Sequence, residues 1–224
     1  MEGEPGKLPL FPLDNVVLFP GLDVPLHIFE PRYRQLTEHV LQGDRRIGMV
    51  ATRPEARPAS AGRPALFDVG CCGLVRRFER LPDGRFNLVL AGQQRFRIVE
   101  EPPGTSNRLY RVARIEMLEE APPGDAENRA GLAELRRTVR DQIKSLIRLH
   151  GSNEENALGA AFLDRVDDAQ FVHSLCLAID FDVRDKQGLL ECHDLHARAE
   201  RLEELLTWRL AERLHGAPGA DTVH

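Results

Sequence analysis

The sequence predicts an α+β protein, with a β-rich first half followed by an all-α helical bundle. Three observations predict it. Short apolar or alternating runs broken by Pro, Gly and Asp occupy residues 8–118, as strands in a compact sheet do. Apolar residues at helical spacing, bounded by Asp, Ser and Gly, occupy residues 125–215. The charge divides at the same place, with a balance of +3 over residues 1–118 and −8 over residues 119–224. Residues 119–124 (EEAPPG) read as the linker between the two lobes, and 1–7 and 216–224 as disordered tails.

In the first half, strands are expected at Val16–Phe19, Val24–Phe29, Ile47–Ala51, Val69–Phe78, Phe86–Leu90, Phe96–Val99 and Tyr110–Leu118. Leu81-Pro82-Asp83-Gly84 is a turn, because Pro presets φ and Gly accepts a positive one. The alternation Arg95-Phe96-Arg97-Ile98 places the arginines on a solvated face and Phe96 inside. One helix interrupts the strands, from Pro31 through Tyr33, Leu36 and Val40 to Gly43. Arg53–Pro64, with three prolines and no periodicity, reads as a surface loop.

The second half carries its own punctuation. Asp125 is placed to cap a helix whose Leu132, Leu135, Val139, Ile143, Leu146 and Ile147 form one stripe ending at Gly151. Ser152 with Glu155, and Asp167 with Gln170, have capping-box spacing. A short helix starts at Asp182, and a last one near Asp194 carries Leu195, Ala199, Leu202, Leu206 and Leu210.

Composition and motifs narrow the chemistry. No run approaches the ~20 apolar residues of a membrane span, and the N-terminal stretch lacks the apolar core of a secretory signal. Four cysteines at odd spacing suit a reducing cytoplasm better than a disulfide framework. Adjacent Cys71 and Cys72 in a strand would face opposite ways. The segment around Gly3, Gly6 and Lys7 has the wrong spacing for a phosphate loop. Ser145 is the one serine that pairs on paper with a lysine, Lys186, but it lies mid-helix without a nucleophile elbow. His173, Cys176, Cys192 and His196 are the candidate metal ligands, in a spacing that matches no metal motif, so neither metal nor cofactor is expected. Arginines 76, 77, 80, 85, 95, 97, 108, 111 and 114, interleaved with Phe78, Phe86 and Phe96, leave RNA binding as an alternative. The acidic residues among them make nucleic acid the lesser expectation.

The opening segment is the most specific part of the chain. Leu8-Pro-Leu-Phe-Pro-Leu-Asp-Asn-Val-Val-Leu-Phe-Pro-Gly21, then Pro25-Leu-His-Ile-Phe-Glu-Pro-Arg-Tyr33, resembles the N-terminal substrate-binding domain of Lon proteases. Asp68-Val-Gly70, Leu81-Pro-Asp-Gly84 and Leu90-Ala-Gly-Gln-Gln-Arg-Phe-Arg-Ile98 continue the likeness. It looks most like the stand-alone bacterial members, which lack the ATPase and peptidase modules. The resemblance implies a PUA-like β pseudo-barrel of about six strands over 8–118, a helical bundle over 125–215, and a non-catalytic role in binding unfolded segments or a partner protein. That role could serve a protease system. Pro9, Pro20, Gly21, Pro25, Glu30, Arg32, Tyr33, Gly70, Gly84, Gly92 and Arg95 then read as fold-forming positions. The Phe19–Leu22 turn and the 53–64 loop, with Arg53, Arg57 and Arg63, carry the mix of apolar and Arg positions that suits peptide contacts.

Overall fold

The computed structural model describes residues 6–54, 64–120, 126–150 and 165–215. The chain divides into two compact units. One takes the residues up to Glu119 together with Cys176–Glu191; the other takes Glu120–Leu175 and the chain from Cys192 onward.

The first unit is built on a six-stranded sheet in the order β2-β5-β4-β3-β1-β6. Its strands are β1 (Lys7–Leu13), β2 (Asp23–Ile28), β3 (Arg46–Ala51), β4 (Val69–Arg80), β5 (Phe86–Glu100) and β6 (Arg111–Met117). Because β5 also pairs with β6, five of the strands close on themselves, which removes most free edges. Length makes this possible. The first part of β5 pairs with β2 (Phe86↔Ile28 to Ala91↔Asp23), and its last part pairs with β6 (Phe96↔Met117). The sequence suggests two strands here, whereas the structure has one of 15 residues bent at Gln93. Gly73 pairs with Gly92 and Cys72 with Gln94, so Gln93 is the extra residue of a bulge.

Side-chain alternation distributes the core. Phe11, Met49, Cys71 and Val112 belong to one apolar cluster, and their chain neighbours Leu10, Val50, Cys72 and Ala113 belong to another. Both faces of these strands are therefore buried. Helix α1 (Pro31–Leu41) covers the first cluster with Tyr33, Leu36 and Val40. Pro31 stands at its start, where a missing N–H costs nothing.

Two expectations about strands are corrected. Val16–Phe19 is an irregular segment whose Val17, Leu18 and Phe19 are buried, and a buried loop has the same apolar composition as a strand. The first strand is instead β1, despite Pro9 and Pro12. Its pairing with β6 spans Lys7–Leu10 and its pairing with β3 spans Leu10–Leu13. Each proline thus has a single neighbouring strand in register, and a strand can tolerate the loss of one donor there.

Arg95 is also corrected. It is 3% exposed, and its Nη1 donates to the Leu190 carbonyl at 2.9 Å. Leu190 lies on α4 (Val183–Glu191), which packs on β4 and also sends Gln187 Nε2 to the Val69 carbonyl at 3.0 Å. That helix converts a face that alternation marks as solvated into a buried one. It also explains why 176–191 clusters with the sheet, although the sequence groups it with the helical half.

In the second unit, α2 (Ala126–His150) packs along α5 (Leu195–His215). Leu132 and Val139 of α2 and Ala199, Leu202 and Leu206 of α5 are buried, along the predicted stripes. Gln142 Nε2 joins the pair by donating to Thr207 Oγ1 at 2.7 Å. Helix α3 (Asp168–Ala178) is tied in by Arg136, which binds Asp168 Oδ1 at 2.5 Å and lies over the Phe171 ring. The aspartate caps act as expected. Asp167, Asp182 and Asp194 each accept the backbone N–H three residues on, at 2.8, 2.9 and 2.8 Å. The helix expected after Ser152, and the cap at Asp125, lie outside the described residues. Among the described residues, no helix is long and apolar enough to cross a membrane.

Candidate functional site

Beyond the closed part of the sheet, β2, the first part of β5 and the end of β4 form a three-stranded arm. Their registers stack residues in rows across it. Pro25, Val89 and Arg77 make one row; Leu26, Leu88 and Phe78 the next; His27, Asn87 and Glu79 the third. These rows line an open, mostly apolar cleft of about 450 Å³. Phe78 at its rim is 46% exposed and Phe29, just past β2, is 60% exposed. Two large aromatic side chains held in solvent are unusual on a surface otherwise rich in ion pairs.

A hydrogen-bonded ladder fixes the polar row. The His27 ring Nδ1 lies 2.7 Å from Asn87 Oδ1, and Asn87 Nδ2 donates to Glu79 Oε2 at 3.2 Å. Phe29 stacks on His27 with ring centroids 6.2 Å apart. The arm ends in the turn at 81–84, where Gly84 has φ +81° and its N–H returns to the Leu81 carbonyl at 2.9 Å. The Arg85 N–H and guanidinium both bind Asp83, and that backbone hydrogen bond is the main reason its carboxyl is held below the usual range. The arrangement offers apolar area, a rigid polar ladder and an edge strand in β2. It suits contact with an extended segment rather than bond-making chemistry.

The predicted site residues are mostly elsewhere. Phe19 is fully buried, so its ring cannot meet a partner; the turn it starts is held by Gly21 N–H to the Gly92 carbonyl at 2.9 Å. A Cβ on Gly92 would sit 2.2 Å from the Phe19 carbonyl oxygen, and one on Gly70 would sit 2.6 Å from that of Met49. Both glycines therefore mark close backbone approaches. Pro20 and Leu22 flank that turn and are partly exposed. Arg53 donates to the Leu66 carbonyl at 2.7 Å and to Asp68, which commits it to local structure. Arg57 and Arg63 lie outside the described residues. Arg32 pairs with Glu30 at 2.8 Å and lies over the Tyr33 ring.

The four candidate metal ligands are not gathered into one. Among the described residues, no group of three or more His, Cys, Asp or Glu is placed to hold a metal ion. His173 Nε2 faces Arg198 Nη1 at 2.7 Å, His196 Nε2 lies 3.4 Å from Glu200, and Cys176 is buried. Ser145 Oγ donates to the Asp141 carbonyl one turn back, and Lys186 Nζ donates to the Leu177 carbonyl. Neither group reaches for the other's chemistry. Phe78 was legible in the sequence as an aromatic residue, but only the registers reveal that it stands at a cleft.

A sheet that closes on itself, a covering helix and a helical unit define a mixed domain of the Lon N-terminal kind. The family model for the substrate-binding domain of ATP-dependent protease La (LON) matches residues 7–207, so the chain belongs to that family. It is 27% identical to a Lon protease of Cytophaga hutchinsonii over 92% of this chain and 24% of that protein. It is also 27% identical to the Lon protease of Escherichia coli K12, over 89% of this chain and 24% of that protein. The chain thus spans about a quarter of the length of these relatives. Among solved structures, the N-terminal domain of a Mycobacterium avium complex Lon protease superposes with a TM-score of 0.67 at 16% identity, over 90% of this chain and 98% of that one. A Lon N-terminal domain protein from Xanthomonas campestris gives a TM-score of 0.55 at 25% identity, with the same coverage of both chains.

Proposed function

We propose that this chain is a non-catalytic recognition module that binds polypeptide segments, and that the cleft on the β2-β5-β4 arm receives an extended apolar stretch. The observation that carries the reading is the family match over residues 7–207, which names a substrate-binding domain. The cleft adds a physical place for it: exposed Phe78, the apolar Pro25–Val89 row and an edge strand with its ladder of polar groups. On this reading the protein works in the cytoplasm, presenting unfolded segments or a partner to a proteolytic system.

The test is a fluorescence-anisotropy titration of the full chain with a labelled, permanently unfolded model protein such as reduced carboxymethylated lactalbumin. Saturable binding is expected, and Phe78→Asp should weaken it by about tenfold or more, the cost of losing a central aromatic anchor. No saturable binding, or a Phe78→Asp variant that binds as the parent does, overturns the site. Cleavage of the labelled protein on adding ATP overturns the non-catalytic reading.

RNA binding has less support. Among the described residues of the sheet unit, eight arginines (32, 46, 53, 76, 80, 85, 111 and 114) stand in ion pairs with carboxylates. Guanidiniums neutralised in this way give little long-range attraction to phosphate.

A further inference from the structure

A sheet can hold an extended polypeptide in two ways, by adding it as a strand to an edge or by laying it across a face. Which way is open depends on where the edge strand directs its backbone groups. β2 ends the sheet, and among the described residues no strand pairs with its outer side. Two backbone hydrogen bonds fix the phase. The Gly92 N–H donates to the Leu22 carbonyl at 2.8 Å, so in this antiparallel register Val24, Leu26 and Ile28 exchange bonds with Leu90, Leu88 and Phe86. The Leu81 N–H donates to the Arg85 carbonyl at 2.8 Å, which turns Asn87 and Val89 towards β4 and gives the same phase. Asp23, Pro25 and His27 therefore direct their backbone groups away from the sheet.

Pro25 takes the middle of these three outward positions. It has no N–H, and its ring Cδ stands where that hydrogen would point. The flanking donors, Asp23 and His27, are left about 13 Å apart at ~3.3 Å per residue. An incoming strand would lose its central bond and meet the ring. The strand is short, at six residues, and Asp23 adds a charge that is held by Arg76 Nη1 at 3.0 Å. A short strand, a proline and a charge are each means of blunting an edge. The other margin of the arm, the end of β4, turns only Phe78 and Arg80 outward, beyond a bulge at Arg76 that bends it away. The face between these margins stays open, with the Pro25–Val89 row and the exposed Phe78.

We infer that Pro25 closes the β2 edge to strand addition, so that the arm holds a polypeptide by side chains laid across its face and not by the backbone. Strand addition would accept any extended chain, because backbone groups are common to all of them; face contacts select apolar and aromatic side chains. What arrives at the arm depends on the polypeptide-binding reading above. The closed edge does not, so the two can fail separately.

The test is an anisotropy titration of the full chain with a labelled peptide of alternating threonine and valine, and with the same peptide N-methylated at alternate residues, which cannot bond along one edge. The parent should treat the two alike. Pro25→Val restores the outward donor and keeps an apolar side chain in the cleft. It should bind the unmethylated peptide about tenfold or more tightly than the methylated one, the size of one or two hydrogen bonds. Pro25→Ala restores the same donor with a different side chain and should show the same preference, so the test survives if one variant fails to fold. A parent that already prefers the unmethylated peptide tenfold, or folded variants that show no preference, overturns the inference. If the unfolded model protein binds the parent while the variants show no preference, only this inference falls; if the variants show it and the model protein does not bind, only the proposed function does.

Discussion

At the centre of the sheet unit lie Leu10, Cys71, Phe96 and Ala113, all fully buried and all apolar. The most deeply buried large side chain of the helical unit is Arg198, at 0% exposure. Its Nη1 binds Glu120 Oε1 at 2.7 Å and faces His173 Nε2 at 2.7 Å, while Nη2 reaches the Cys192 carbonyl at 3.3 Å. The sheet unit can rely on area, because two apolar clusters fill both faces of its strands. The helical unit instead ties three separate points of the chain to one guanidinium. A polar anchor of this kind specifies geometry more sharply than it stabilises, and it is far less tolerant of losing one partner.

Removing that anchor tests the contrast most severely. Arg198→Ala should destabilise the helical unit by about 2–5 kcal/mol, because it empties a fully buried position and removes the donors that reach Glu120, His173 and the Cys192 carbonyl. Arg198→Met keeps most of the packing but loses the same hydrogen bonds, so it should cost nearly as much. Urea melts followed by far-ultraviolet circular dichroism would show it, and a much smaller loss for Met than for Ala would mean that packing, not charge, is what Arg198 supplies.

The sheet unit should be sensitive to alkali instead. Burial raises the Cys72 thiol to about 11, from an ordinary value of 9.0. The folded state therefore keeps a proton that the unfolded state gives up. The stability is intact below pH 9 and declines as pH rises towards 11, by a total on the order of 2–3 kcal/mol. Cys72→Ala should flatten that part of the curve, and an unchanged alkaline slope would show that Cys72 does not ionise as described.

The smallest effect should come from the helix caps. Asp194→Ala removes the acceptor for the Ala197 N–H and should cost ~1 kcal/mol, with Asp194→Asn nearly neutral. A loss for Asn as large as for Ala would point to the ion pair with His193 rather than to the cap.

Much of this was legible in the residues. Asp167, Asp182 and Asp194 announce their helices because a cap works over three residues. Pro31 and Gly84 do the same for a helix start and a turn. The failures share a cause as well. Val16–Phe19 looked like a strand because burial, not pairing, makes a segment apolar. β1 was hidden because its prolines are harmful only if a neighbour needs their N–H, and the neighbours are remote in sequence. The cleft needed two registers between three strands to assemble.

By itself, then, the sequence determined the α+β order, the caps, the tight turns and the family likeness, all of which depend on contacts within a few residues or on a linear pattern. Only the tertiary structure decided that β5 runs on to close the sheet with β6 and that α4 buries Arg95. Those outcomes depend on which distant surfaces exclude water from one another, and a local pattern states how apolar a face is without saying what will cover it.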